Sequence, residues 1–83
     1  MKELTEFMKC RWSEILKIPE YEIQVEDSFL QLGGTALSMY KFLYQLELYF
    51  NKKINKPLFV KCTTLYDMGC FLLENEQAFD TKQ

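Results

Sequence analysis

Asp27-Ser28-Phe29-Leu30-Gln31-Leu32-Gly33-Gly34-Thr35-Ala36-Leu37 is the stretch on which the fold turns. Its two glycines permit positive φ, and close approach by a ligand or partner where side chains would obstruct. Thr35 is placed to accept a hydrogen bond from a backbone N–H of a following helix. Beyond it, Ala36, Met39, Leu43, Leu46 and Phe50 recur at steps of three and four. That spacing predicts a helix over about residues 36–51 with a buried stripe. A second row of Leu37, Tyr40, Tyr44 and Leu48 lies beside the first. One row suffices for a core, so Leu37 and Tyr40, in the first turn, are the candidates for exposure. Ahead of the glycines, Asp27 is placed to cap a single helical turn through Ser28, Phe29 and Leu30.

Upstream, Leu4, Phe7, Met8, Trp12, Ile15 and Leu16 share one side and Lys2, Glu6, Lys9, Arg11 and Lys17 the other. This predicts an amphipathic helix over about residues 2–17, stopped by Pro19. Residues 18–35 then form a connection too long to be structureless in so small a domain. Ile18, Tyr21, Ile23, Val25, Phe29, Leu30 and Leu32 are its apolar anchors. Downstream, Asn51 closes the second helix and Pro57 opens a short apolar turn of Leu58, Phe59 and Val60. Thr63 or Thr64 caps a last helix whose buried face is Leu65, Met68 and Leu72, with Phe71 a candidate to join them. The expected fold is all-α: three main helices plus one short one in a small bundle, with a long loop between the first two. At 83 residues it is a single domain over 1–83, with a core at about 2–75 and a frayed tail at 76–83.

Composition excludes most chemistry. Ten Lys and Arg against twelve Asp and Glu leave a net charge of -2, too little positive charge to neutralise a run of phosphates, so nucleic acid is not the expected partner. The charges are segregated, acidic at Glu20, Glu22, Glu26 and Asp27 and basic at Lys52, Lys53, Lys56 and Lys61, as on solvated surface or a polarised protein-docking face. With no His there is no ready general base, and Cys10, Cys62 and Cys70 lack metal-ligand spacing. They read as free thiols of a reducing compartment. No apolar run is long enough to span a membrane and no secretory signal is visible. A monomeric, cytoplasmic domain without catalytic activity is expected.

The stretch 27–37 resembles the signature "D-x-F-F-x-L-G-G-x-S-L" of the peptidyl carrier, or thiolation, domains of nonribosomal peptide synthetases, within the acyl-carrier-like family. The likeness extends from about residue 4 to 74, through "Pro-Leu-Phe…Thr-Thr-Leu" before the last helix. It implies an acyl-carrier-like bundle. It also implies a 4'-phosphopantetheine arm on a serine at the start of the second helix, whose thiol holds aminoacyl or peptidyl groups as thioesters. A hydroxyl there would lie by unpaired N–H groups and the positive end of the helix dipole, which favours a phosphodiester.

In this chain the serine's place is held by Ala36, with Asp27, Phe29, Leu32, Gly33, Gly34, Thr35 and Leu37 forming the rest of the signature. Without an Oγ the arm cannot attach at Ala36. Ser38 lies about 200° around the helix, and Thr35 is β-branched and committed as a cap. Deliberate replacement of a serine is the expected origin, and the alternative is a naturally degenerate carrier-like docking module. The resemblance implies as partners a phosphopantetheinyl transferase, adenylation, condensation or thioesterase domains and tailoring enzymes, in biosynthesis of the antibiotic or siderophore kind. The partner surface is expected at Leu37, Met39, Tyr40, Phe59 and Val60.

Overall fold

The computed structural model describes residues 2–79. Its main elements are α1 (Lys2–Leu16), α2 (Ala36–Phe50), α3 (Lys56–Phe59) and α4 (Leu65–Glu74), with a 3-10 turn at Glu20–Glu22 in the long connection. No strand occurs among the described residues, only isolated bridges between Ser28 and Thr64 and between Ile54 and Phe79. The all-α bundle of three long helices and one short one is thus the observed fold.

Helix α1 packs against both α2 and α4, burying Leu4, Met8 and Trp12 at successive four-residue steps. It ends one residue earlier than the periodicity indicates. Lys17 adopts the left-handed conformation at φ 63, and the Ser13 hydroxyl reaches over it to donate to the Ile18 carbonyl at 2.6 Å. Helix α2 also stops a residue short, because Asn51 is a left-handed C-cap at φ 57. Its fully buried residues are Phe42, Leu43 and Leu46. Phe42 falls outside the stripe read from the sequence, because aromatic neighbours from three other segments close over that side of the helix. Trp12, Phe29 and Phe59 have ring centroids 6.0, 6.2 and 6.3 Å from it.

Phe29 carries the long connection into this core. Its ring meets Trp12 edge-on at 5.1 Å and stacks on Phe42, and its backbone N–H donates to Thr63 at 3.3 Å. Ile23 is buried with it, and Ile18, Val25 and Leu32 pack at the margin. Tyr21 and Leu30 point to solvent instead, so they are not anchors. Asp27 does not cap the turn that follows it; its carboxylate accepts from the Gln24 N–H at 2.8 Å. Ser28 takes the cap, accepting from the Gln31 N–H at 3.4 Å.

The α2–α3 connection closes around Glu47. Its carboxylate, 11% exposed, accepts from the Ile54 N–H at 2.9 Å and from Lys56 at 3.1 Å, with Lys53 at 3.9 Å. Part of the basic run therefore serves the fold rather than a docking face. The tail is also more ordered than its polarity suggests. Ala78 is buried and accepts the Asn55 N–H at 2.8 Å, while Phe79 packs edge-on against Phe50 at 5.0 Å. The expected fraying is corrected as far as Phe79, because two apolar residues at the end of a polar stretch pin it; 80–83 lie outside the described residues.

Gly34 is required by packing. A Cβ there would overlap the Phe29 ring and approach its carbonyl oxygen to 2.8 Å. Gly33, at φ 103, supplies the left-handed turn and has open space around it. Gly34→Ala should therefore destabilise the domain by about 1–3 kcal/mol, measured by urea denaturation. A parental midpoint would show that the ring is not held against the glycine.

Burial alone would push the Glu47 carboxyl up, but the Ile54 N–H and the Lys56 and Lys53 ammonium groups outweigh it and hold it below the ordinary 4.5. A depressed folded value means that this carboxylate's contribution is complete above the unfolded value and is lost as pH falls through the folded one. Glu47→Gln should cost about 1–2 kcal/mol at pH 7 and soften the loss of stability in acid. Thermal melts of both proteins between about pH 7 and pH 3 test this across the carboxylate range, and an equally steep acid limb in the variant would exclude Glu47 as its source.

Candidate functional site

Two long helices begin near the long connection, and their N-termini are finished differently. At α4 the connection itself supplies acceptors: Leu65 N–H donates to the Asp27 carbonyl at 3.2 Å and Tyr66 N–H to the Val25 carbonyl at 2.9 Å. Thr64, not Thr63, is its N-cap, accepting from the Asp67 N–H at 3.0 Å. That terminus is closed by protein.

The start of α2 is held by a reciprocal capping box. Ser38 N–H donates to Thr35 Oγ1 at 3.2 Å, Thr35 N–H donates to Ser38 Oγ at 2.7 Å, and the Ser38 hydroxyl is 3.0 Å from the Thr35 carbonyl. Thr35 is therefore the cap that its position indicates. Ser38 is its unanticipated partner, legible only as a hydroxyl at the third helical position. Ala36 is the first residue of α2 and Leu37 the second, and both side chains are exposed. Their N–H groups precede the first intrahelical bond, made by Met39 to the Thr35 carbonyl at 2.9 Å. The arrangement presents the side chain at position 36 to solvent beside the positive end of α2.

The signature residues are brought together around this point. Phe29 lies beneath Gly34, Leu32 packs against the core margin, and Gly33 turns the chain into Thr35. Asp27 stands apart, tied to Gln24 and to the start of α4. Of the expected partner surface, Leu37, Tyr40 and Val60 are exposed, and Met39 is half-buried against the core. Phe59 is fully buried between Phe42 and Phe71, which corrects its reading as a contact residue. A short helix has room for one inward side chain per turn, and the aromatic one took it.

Cys10, Cys62 and Cys70 are free and partly buried. Burial pushes the Cys62 thiol up, with a further rise from Asp67, away from the thiolate a nucleophile needs. Among the described residues no cluster of three or more His, Cys, Asp or Glu could hold a metal ion, and no helix is long and apolar enough to cross a membrane. The residues present do not fit covalent attachment of a phosphopantetheine: position 36 has no oxygen, and the hydroxyls on either side are engaged with each other.

The family model described as "Phosphopantetheine attachment site" matches residues 6–72. Nonribosomal peptide synthetase 7 of Aspergillus fumigatus is 43% identical over 40 residues, which amount to 48% of this chain and 2% of that protein. No solved structure matches the chain. A match from within α1 to within α4 takes in the capping box, the glycine turn and the aromatic core beneath them, and it shows that the chain belongs to the phosphopantetheine attachment site family of non-catalytic carrier domains.

Proposed function

We propose that this chain is a peptidyl carrier domain of nonribosomal peptide synthesis in which Ala36 stands where a loadable carrier has serine. The observation that supports it most is the state of the site around the missing atom. The glycine turn, the Phe29 anchor and the Thr35–Ser38 box are all in place and present residue 36 to solvent. The similarity to a peptide synthetase over 40 residues points the same way. On this reading the carried groups are aminoacyl or peptidyl thioesters, and the partners are a phosphopantetheinyl transferase and the adenylation, condensation and thioesterase domains of an assembly line. Leu37, Tyr40 and Val60 are the side chains they would touch, and the setting is the cytoplasm.

Ala36 keeps helix propensity and nearly the volume of serine while removing the nucleophile, as a deliberate Ser-to-Ala replacement would. The same residue also favours a second reading, a naturally degenerate carrier-like docking module that has lost its attachment site. The codon at position 36 of the source gene separates them: serine supports replacement and alanine supports the module.

Ala36→Ser, incubated with coenzyme A and a phosphopantetheinyl transferase, should gain the mass of one arm by intact mass spectrometry, while the parent chain gains none. No gain in the serine form would overturn the carrier reading. In that loadable background Leu37→Ala should stay within about 1 kcal/mol of parental stability, yet slow transfer to or from a cognate enzyme. Marked destabilisation with unaltered transfer would assign Leu37 to the core instead.

A further inference from the structure

Helix α2 is apolar on two opposite sides. One side, Phe42, Leu43 and Leu46, is fully buried. On the other, Leu37, Tyr40, Tyr44 and Leu48 fall within a sector of roughly 80° at 100° per residue and are 68, 55, 60 and 59% exposed. A helix that is hydrophobic all round belongs in an interior, yet among the described residues this row stays largely open to solvent. It also runs about three turns, well past the first-turn residues Leu37 and Tyr40.

The order of the row identifies what fits it. Leu, Tyr, Tyr, Leu reads the same in both directions, with the two tyrosines flanking the midpoint and the two leucines at the ends. A second α2 laid antiparallel about a twofold axis between Tyr40 and Tyr44 meets Leu37 with Leu48 and Tyr40 with Tyr44. Self-complementarity of this kind is what an isologous pair requires. We propose that α2 is a self-association surface on which two copies of this chain pair antiparallel through Leu37, Tyr40, Tyr44 and Leu48.

The area sets the strength. Covering the row removes on the order of 500 Å² per copy, about 1,000 Å² per pair, since an aromatic side chain carries roughly 150–250 Å². That is the low end of specific interfaces, so the pair forms at high concentration and the chain is monomeric when dilute. Arg11, Glu14 and Lys41 line the groove beside the row. Lys41 falls near the axis and approaches its own copy, a like-charge contact that salt screens, whereas Glu14 on the same rim is held by Arg11 at 3.0 Å. The inference rests on this surface alone and not on the carrier reading.

Sedimentation equilibrium of the full chain over about 10 μM to 1 mM should show the mean mass rising from 10.0 kDa toward twice that value. Leu37→Arg and Leu48→Glu, both at exposed positions and checked for fold by circular dichroism, should each hold the chain at the monomer. Mixed in equal amounts they should associate again, because in the antiparallel pair the introduced arginine of one copy faces the introduced glutamate of the other. A parent chain still monomeric at the top concentration would overturn the proposal and leave the row to a different protein. So would association that survives either substitution, or a mixture no heavier than its components.

Discussion

The ring of Phe29 is the contact on which the remaining structure depends. It joins three things that are separate in sequence: the long connection, the aromatic cluster of Trp12 and Phe42, and the glycine turn that launches α2. Because the ring fills the space beneath Gly34, the turn cannot sink further into the core. The direction in which α2 begins is thereby fixed. The Phe29 N–H, bonded to Thr63, ties the same point to the segment before α4. One buried side chain thus sets the relative start points of two helices.

That constraint explains why the site is built as it is. A carrier has to present one atom to many partners without doing chemistry on it, so the scaffold must fix position while leaving the surroundings open. The open start of α2 contrasts with the start of α4, whose first donors are taken up by the connection. Rigidity is supplied from below by the aromatic cluster and from the side by the Thr35–Ser38 box, both of which leave position 36 clear. In this chain all of that machinery converges on a methyl group. Phe29, Gly34 and the Thr35–Ser38 box hold the turn through contacts that do not involve the side chain at position 36.

Much of the bundle was legible because helices announce themselves through local spacing. The three-and-four recurrence located α1, α2 and α4, Pro19 and Asn51 marked their ends to within a residue, and Thr35 was recognisable as a cap. Phe42, Phe59 and Ala78 were harder to place. A helix with apolar residues on two sides offers two candidate stripes, and periodicity alone cannot say which of them another helix covers. Likewise nothing local distinguishes Phe59 from Val60 on a single turn, or shows that Ala78 and Phe79 will find Asn55 and Phe50.

By itself, then, the sequence determined the helical class, the family signature and the absence of an attachable oxygen at Ala36, because each is a property of residue identity at fixed spacing. Only the tertiary structure decided the rest. It showed that Gly34 leaves no room for a Cβ against the Phe29 ring, that Glu47 gathers Ile54, Lys53 and Lys56 into one lock, and that Phe59 faces inward while Leu37, Tyr40 and Val60 face out. The physical reason is common to all three. Each depends on which side chain is nearest across a gap between segments, and that is set by packing in three dimensions.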